Sequence, residues 1–349
     1  MTVAGRTPVS NAHAAAVVPS HQRPRLGFLG VGWIGRQRME AIAHSGVASV
    51  AAITDPDRDA AAHAHRAAPD AAVVTSLDEL LETELDGLVI ATPSALHAEQ
   101  TVRALERGLA VFCQKPLART APETRRVVNA SRAADRLLGV DLSYRHTAGM
   151  RRIRDLARQG ELGTIYAVDL TFHNAYGPDK PWFYDPRLSG GGCVIDLGVH
   201  LVDLALWTLG FPALRDVTSD LFAGGERLAA AAARVEDFAT AELRLVTGTV
   251  VRLACSWRLH AGRPCVIEAA FYGTAGGAAM RNVNGSFFDF RAERFRETSS
   301  ELLSEPPDEW AGRAATDWAR RLASGQGYDD ASAAEFVRVA AALDAIYGR

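Results

Sequence analysis

The sequence is nearly devoid of lysine. Of its 38 basic residues only Lys115 and Lys180 are lysines, and the other 36 are arginines. A chain that uses arginine wherever a generic cation serves marks its lysines as places where a compact ammonium has a purpose that a planar fork does not meet. Cysteine is scarce as well. Cys113, Cys193, Cys255 and Cys265 are scattered without a CxxC pair, so neither a zinc ribbon nor the disulfide framework of a small secreted domain is indicated. Charge of one sign is not in excess. With 38 basic against 41 acidic residues and a net charge of -3, the chain does not look like a dedicated nucleic-acid binder. No stretch approaches the ~18 consecutive apolar residues of a transmembrane helix, so no membrane span is expected. There is no internal repeat.

What remains has the composition of an ordinary globular protein: 349 residues, 48% apolar and 23% charged. At ~150 residues per domain this suggests two domains. Residues 1–23 show no periodic pattern and read as a disordered N-terminal arm. Their apolar run Ala14–Val18 is too short for a signal-peptide core, and a cytoplasmic protein is expected.

Residues 24–144 alternate short apolar runs with Ala/Arg/Glu-rich helical stretches. The runs are Leu26–Leu29, Val47–Thr54, Ala72–Val74, Leu88–Ala91, Ala110–Cys113 and Leu138–Leu142. Such runs suit strands buried on both faces, and their alternation with helices implies right-handed βαβ units and a doubly wound parallel sheet. The rhythm changes in 145–349. Met150–Gln159 and Cys193–Leu209 read as helices, and Ile165–His173 as a strand. Strand-like runs follow at Phe238–Val246, Val250–His260, Val266–Gly273 and Ser286–Arg294, the first two joined by a Thr247–Gly248 turn. Helices near Glu309–Ala323 and Asp330–Tyr347 close the chain, the last able to pack back on the first domain. This predicts an α+β domain with an open, predominantly antiparallel sheet.

The first run leads into Gly30-Val31-Gly32-Trp33-Ile34-Gly35, a GxGxxG turn between a strand and a helix. Gly30 permits the tight turn, Gly32 the approach of a pyrophosphate and Gly35 close helix–strand packing, while the helix N-terminus offers N–H groups to phosphates. Trp33 and Ile34 belong to the same cofactor loop. Asp55 follows Gly35 by twenty positions, at the end of the next strand. A carboxylate there accepts from a ribose diol and repels a 2′-phosphate, which favours NAD over NADP, although Arg58 close by could receive that phosphate. Thr92-Pro93 with His97, and Gln114-Lys115, stand at two further strand ends of the same crevice. For His97 a capping or packing role competes evenly with a cofactor contact.

In Gly190–Asp203, Asp196, His200 and Asp203 fall at i, i+4 and i+7 of an otherwise apolar helix, one polar face in apolar surroundings. The three glycines ahead of it would let a substrate or nicotinamide come close. A charged Asp196 beside His200 would stabilise an imidazolium. A satisfied buried network and a metal site are the competing readings of this stripe; no third soft ligand supports the metal.

Together these motifs resemble the Gfo/Idh/MocA oxidoreductases. The resemblance runs from about Arg25 to the C-terminus and includes Gly160-Glu161-Leu162-Gly163 and Asp185-Pro186. It implies a Rossmann domain holding a dinucleotide, an α+β domain, and a sugar or cyclitol between them. It also implies a catalytic set at Lys115, Asp196 and His200, and a homodimer or homotetramer assembled through the open sheet. The sequence departs from the family at Gln114, where Glu is usual, and at Arg145-His146-Thr147. The expected reaction is hydride exchange with a secondary hydroxyl or ketone. His200 moves the proton, Asp196 orients it, Lys115 holds the reacting oxygen, and Tyr144 and Asn174 are candidate substrate contacts. An NAD-dependent glycosidase and a noncatalytic sugar or dinucleotide sensor are the alternatives.

Overall fold

The computed structural model describes residues 23–229 and 233–349; the arm expected over 1–23 lies outside the described residues but for Arg23. The first layer runs β1 (Arg25–Leu29), α1 (Trp33–Ser45), β2 (Ser49–Thr54), α2 (Arg58–Ala67), β3 (Ala72–Val73), α3 (Leu77–Glu82), β4 (Gly87–Ile90), α4 (Ser94–Glu106), β5 (Ala110–Cys113), α5 (Ala121–Ala134) and β6 (Leu138–Val140). All six expected strands are present and form one parallel sheet in the order β3-β2-β1-β4-β5-β6. Every residue of β4 and β5 is buried, because helices cover both faces. Asp57, Ser76 and Thr120 cap α2, α3 and α5 by accepting backbone N–H groups, fixing where each helix begins. Strand order reverses between β1 and β4, so a crevice opens beyond the carboxyl ends of these strands.

The second layer comprises α6 (Ala148–Arg158), β7 (Ile165–Asn174), α7 (Pro186–Ser189), α8 (Val199–Leu209), β8 (Leu214–Ala223), β9 (Glu226–Arg227), β10 (Phe238–Leu245), β11 (Val250–Ser256), β12 (Cys265–Gly273), β13 (Gly276–Asn282), β14 (Phe290–Arg296) and β15 (Ser299–Ser304). These nine strands form one sheet, β15-β14-β13-β12-β7-β11-β10-β8-β9. All its pairings are antiparallel except β7 with β11. The Thr247–Gly248 turn joins β10 to β11 as expected. Four strands were not expected. β8 and β15 are polar and lie at or near the edges, β9 has two residues, and β13 reads Gly-Gly-Ala-Ala-Met-Arg-Asn, without alternation. The Ser286–Arg294 run is also shifted: Ser286 belongs to a turn closed by its hydroxyl, and the strand starts at Phe290.

The helix expected over Cys193–Leu209 forms with an irregularity. Val194–Gly198 is a π-turn in which the Val199 N–H reaches back to the Val194 carbonyl. The helical stretch Pro186–Leu209 is long and apolar enough to cross a membrane, but 83% of its most apolar window is buried inside the fold. The closing helices α9 (Arg313–Ala323) and α10 (Asp330–Tyr347) return to the first layer. Trp318 of α9 packs against Phe112 of β5 with ring centroids 5.7 Å apart. Asp344 of α10 accepts the Ala121 N–H at the start of α5 at 2.8 Å. The chain's end thus ties the two layers together around the crevice.

Candidate functional site

The glycine turn adopts the tight geometry its sequence requires. Gly30 has φ +84° and donates its N–H to the Thr54 carbonyl. A Cβ on Gly35 would lie 2.0 Å from the Gly30 carbonyl oxygen, so the turn closes only with glycine there. Gly32 is different: a Cβ there would meet nothing within 4 Å. The space in front of it is open, at the N-terminus of α1, where backbone N–H groups face outward. This cradle fits a dinucleotide pyrophosphate. Asp55 is half-buried at the end of β2. One carboxylate oxygen accepts the Val31 N–H at 2.7 Å and the other the Asp57 N–H at 2.8 Å, which aims the group along the glycine turn and leaves lone pairs on both oxygens. Arg58 is exposed at the start of α2.

Thr92-Pro93 and Gln114-Lys115 follow β4 and β5, beside this turn. His97 is buried, with Nδ1 2.7 Å from the Pro116 carbonyl and Nε2 2.7 Å from the Thr92 carbonyl. Both ring nitrogens are engaged, so His97 laces the two strand-end loops together. Burial pushes its pKa below the ordinary imidazole value, against the two carbonyls, which favour the proton.

From the other layer the π-turn presents Asp196. Lys115 Nζ donates to Asp196 Oδ1 at 2.7 Å and to the Asp196 carbonyl at 2.7 Å, and Trp257 Nε1 donates to Oδ2 at 3.1 Å. An ammonium carries three N–H groups, and two are directed at Asp196. The expected Asp196–His200 pair is therefore replaced by a Lys115–Asp196 pair. The π-turn winds more residues per turn than an α-helix and so changes the spacing between Asp196 and His200, and Asp196 bonds Lys115 and Trp257 instead. His200, 8% exposed, lies instead against Tyr144, their ring centroids 4.7 Å apart. Its pKa is lowered well below the ordinary value, first by burial and then by the positive charges of Lys115 and Arg38. The expectation that Asp196 would favour an imidazolium is thus reversed: His200 is a neutral imidazole at neutral pH. Asp203, the third member of the stripe, pairs with Arg145 away from the crevice.

The run Gly190–Gly192 also differs from expectation. A Cβ on Gly191 would lie 2.0 Å from the Tyr347 hydroxyl, and one on Gly192 would lie 1.9 Å from the Glu236 carbonyl oxygen. The close approach at Gly191 and Gly192 is made by protein groups. The Glu236 carboxylate, buried there, accepts the Gly192 and Val194 N–H groups at 2.9–3.0 Å and the Tyr347 hydroxyl at 2.8 Å, fixing the start of the π-turn. Asn174 turns the end of β7, its Oδ1 accepting the Tyr176 N–H at 2.8 Å, and is not among the residues lining the cleft.

Trp33 and Ile34 of the glycine turn, Lys115, Tyr144, His200, Phe288 and Trp310 line one cleft of about 370 Å³. Sequence reasoning missed Trp257, Asp141, Arg38, Phe288 and Trp310. Asp141 directly follows β6, and the strand-end rule that found Gln114 and Lys115 points to it too.

Fold and cleft define a chain that joins a dinucleotide-type Rossmann sheet to an α+β partner. Residues 25–142 match the model of an oxidoreductase family with an NAD-binding Rossmann fold, and residues 150–279 match the GFO/IDH/MocA C-terminal domain. The chain belongs to the Gfo/Idh/MocA oxidoreductase family. It is 28% identical to D-glucoside 3-dehydrogenase of Escherichia coli over 64% of each chain. To a putative UDP-kanosamine synthase oxidoreductase subunit of Amycolatopsis mediterranei it is 33% identical, over 74% of this chain and 75% of that one. Its alignments with D-glucoside 3-dehydrogenase, the Rhizobium meliloti rhizopine catabolism protein MocA and the Ensifer adhaerens 1,5-anhydro-D-fructose reductase span 64%, 58% and 61% of those proteins. Among solved structures, levoglucosan dehydrogenase in complex with NADH superposes with a TM-score of 0.80 at 21% identity, covering 93% of this chain and 96% of that one, a likeness of fold.

Proposed function

We propose that this protein is an NAD-dependent dehydrogenase or ketoreductase that exchanges hydride with a secondary hydroxyl or ketone of a sugar or cyclitol. The observation that carries this reading is the meeting, in one cleft beside the glycine turn, of an ammonium from one layer with a neutral imidazole from the other. Names among the relatives, such as D-glucoside 3-dehydrogenase and inositol 2-dehydrogenase, support the substrate class.

When bound, the nicotinamide supplies or accepts hydride at C4. The chain's residues do the rest. Asp196 anchors Lys115 through two of its N–H groups, so that the third meets the reacting oxygen and stabilises charge developing there. His200, held neutral by burial and by Lys115, takes the hydroxyl proton in oxidation and returns it in reduction. Tyr144 packs on the His200 ring and fixes its plane. Trp33 and Ile34 supply the apolar side of the cleft nearest the cofactor loop. NAD is the proposed cofactor because Asp55 presents its carboxylate where an adenosine ribose diol would donate, and a 2′-phosphate would face that charge. Asp55→Ala should narrow the preference for NADH over NADPH about tenfold, read as the ratio of Kd values; an unchanged ratio removes Asp55 from cofactor choice.

The face of the nine-stranded sheet turned away from α8 carries the Asp169–Arg252 pair, Thr171 and Thr240, and assembly of a homodimer or homotetramer through this face is part of the proposal.

The test is a His200→Ala variant that binds NADH as the wild type does. Turnover with a polyol panel should fall at least a hundredfold, within the usual range for removing a general base. Unchanged turnover would remove His200 from the proton path.

A further inference from the structure

The wall of the cleft formed by α1 and the end of β6 holds a buried carboxylate whose two oxygens are treated unequally. Asp141 is 1% exposed. Its Oδ2 accepts from Arg38 Nε at 2.6 Å and from Gln114 Nε2 at 2.5 Å. Its Oδ1 is buried, and no donor among the described residues reaches it. Gln37 Oε1, on the same wall, is likewise buried and without a donor. Both residues line the cleft that contains Lys115 and His200. A buried acceptor left without a donor is costly, more so when charged, so two on one wall point to a ligand that brings its own donors.

We propose that Asp141 is a ligand-binding residue whose Oδ1 accepts a hydrogen bond from a hydroxyl of an uncharged polyol moiety, while Gln114 holds it in place. The inference rests on the functional reading above and deepens it. Gln114 spends its amide N–H on Asp141, so the accepting charge of this wall comes from the end of β6, not from the end of β5. Arg38 keeps that charge paired without reaching Oδ1. The two cations of this lining are ion-paired, Lys115 with Asp196 and Arg38 with Asp141. The unpartnered Asp141 oxygen would repel a carboxylate or phosphate placed against it. A hydroxyl satisfies it. The hydroxyl can belong to the ribose next to the nicotinamide or to the sugar substrate.

The test replaces the accepting oxygen by an N–H with Asp141→Asn. Should that variant not fold, Arg38→Met/Asp141→Leu exchanges the buried pair for apolar side chains of similar bulk, a change that proteins often tolerate. NADH and ADP affinities are measured by titration, and KM with the best polyol from a panel containing myo-inositol and methyl β-D-glucopyranoside. ADP lacks the nicotinamide ribose and serves as the internal control. A rise of about tenfold or more in the NADH Kd, with ADP unchanged, assigns the hydroxyl to the cofactor. The same rise in polyol KM with NADH unchanged assigns it to the substrate. NADH Kd and polyol KM both within twofold of wild type would overturn the proposal, as would an equal loss of ADP and NADH binding. Failure of the wild-type protein to bind NADH at all would instead sink the functional reading beneath it.

Discussion

Two ion pairs sit less than two helical turns apart on the same run, and they are built differently. At Asp196 the partner is Lys115, whose side chain is 20% exposed, against 15% for the carboxylate. At Asp203 the partner is Arg145, and that carboxylate is 2% exposed. Arg145 grips Asp203 through Nε and a terminal nitrogen, reaches Glu335 with the other at 2.6 Å, and lies over the rings of Trp207 and Phe211. Burial pushes the Asp203 carboxyl's pKa up, and Arg145 opposes that rise. All the donor geometry of the guanidinium is consumed by the protein. The ammonium of Lys115, in contrast, is anchored from one side and open on the other. In a chain of 36 arginines, Lys115 keeps an ammonium with one open side while Arg145 has its guanidinium enclosed by carboxylates and rings; Lys180, the other lysine, is exposed beside Asp179 and follows neither pattern.

The sharpest way to break this contrast is to exchange the cations. Lys115→Met should lower kcat/KM by about 10³-fold or more with little change in melting temperature. Lys115→Arg should not restore activity, because a planar fork cannot satisfy the Asp196 carbonyl and carboxylate while presenting a third donor to substrate. Recovery to within tenfold of wild type would show that any cation suffices. Next in size is Arg145→Met, which leaves Asp203 buried and uncompensated. It should cost about 3–5 kcal/mol of stability, read by denaturant unfolding, with turnover per folded molecule nearly intact. A stable but inactive Arg145→Met protein would place the second pair in the chemistry and erase the distinction.

Titration separates the two regions further, with a smaller effect. His200 has its pKa lowered by burial, and His146, behind Arg145, is lowered to about 4, also chiefly by burial. Groups with depressed folded-state values bind fewer protons in the fold than in the unfolded chain. Their stability contribution is complete above the unfolded imidazole value near ~6.5 and is lost as pH falls toward the folded values. Oxidation should therefore be insensitive to His200 from pH 6.5 upward, with its acid limb below that. The stability lost between pH 6.5 and 4 should shrink in His146→Gln while the kcat profile stays in place. A displaced kcat profile in that variant would couple the two regions.

The Rossmann half was legible because its signals are local and cooperative: apolar runs, a glycine turn and an acid at fixed spacing. The strand-end position of Lys115 and the polar stripe holding Asp196 and His200 were visible in the same local way, and the fold brings Lys115 and His200 to one cleft with Asp196 bonded to Lys115. Their pairing was not visible, since a π-turn leaves no mark in hydrophobic periodicity and Asp196 was assigned to the wrong partner. Gly190–Gly192 signalled close approach correctly, yet sequence cannot say whether a ligand or Tyr347 and Glu236 will arrive. In the second sheet β13 and β15 were hidden because their environment is set by neighbours far along the chain, not by their own alternation.

The wider winding of Val194–Gly198 has a geometric consequence. Removing one residue from that stretch would restore a regular α-helix and swing Asp196 through about one residue's angular step, ~100°, away from the ammonium, while leaving α8 and the core behind it in register. A single-codon insertion or deletion here re-aims one carboxylate without redesigning a domain. The winding of five residues thus sets where the carboxylate bonded to Lys115 faces, independently of the packing of α8.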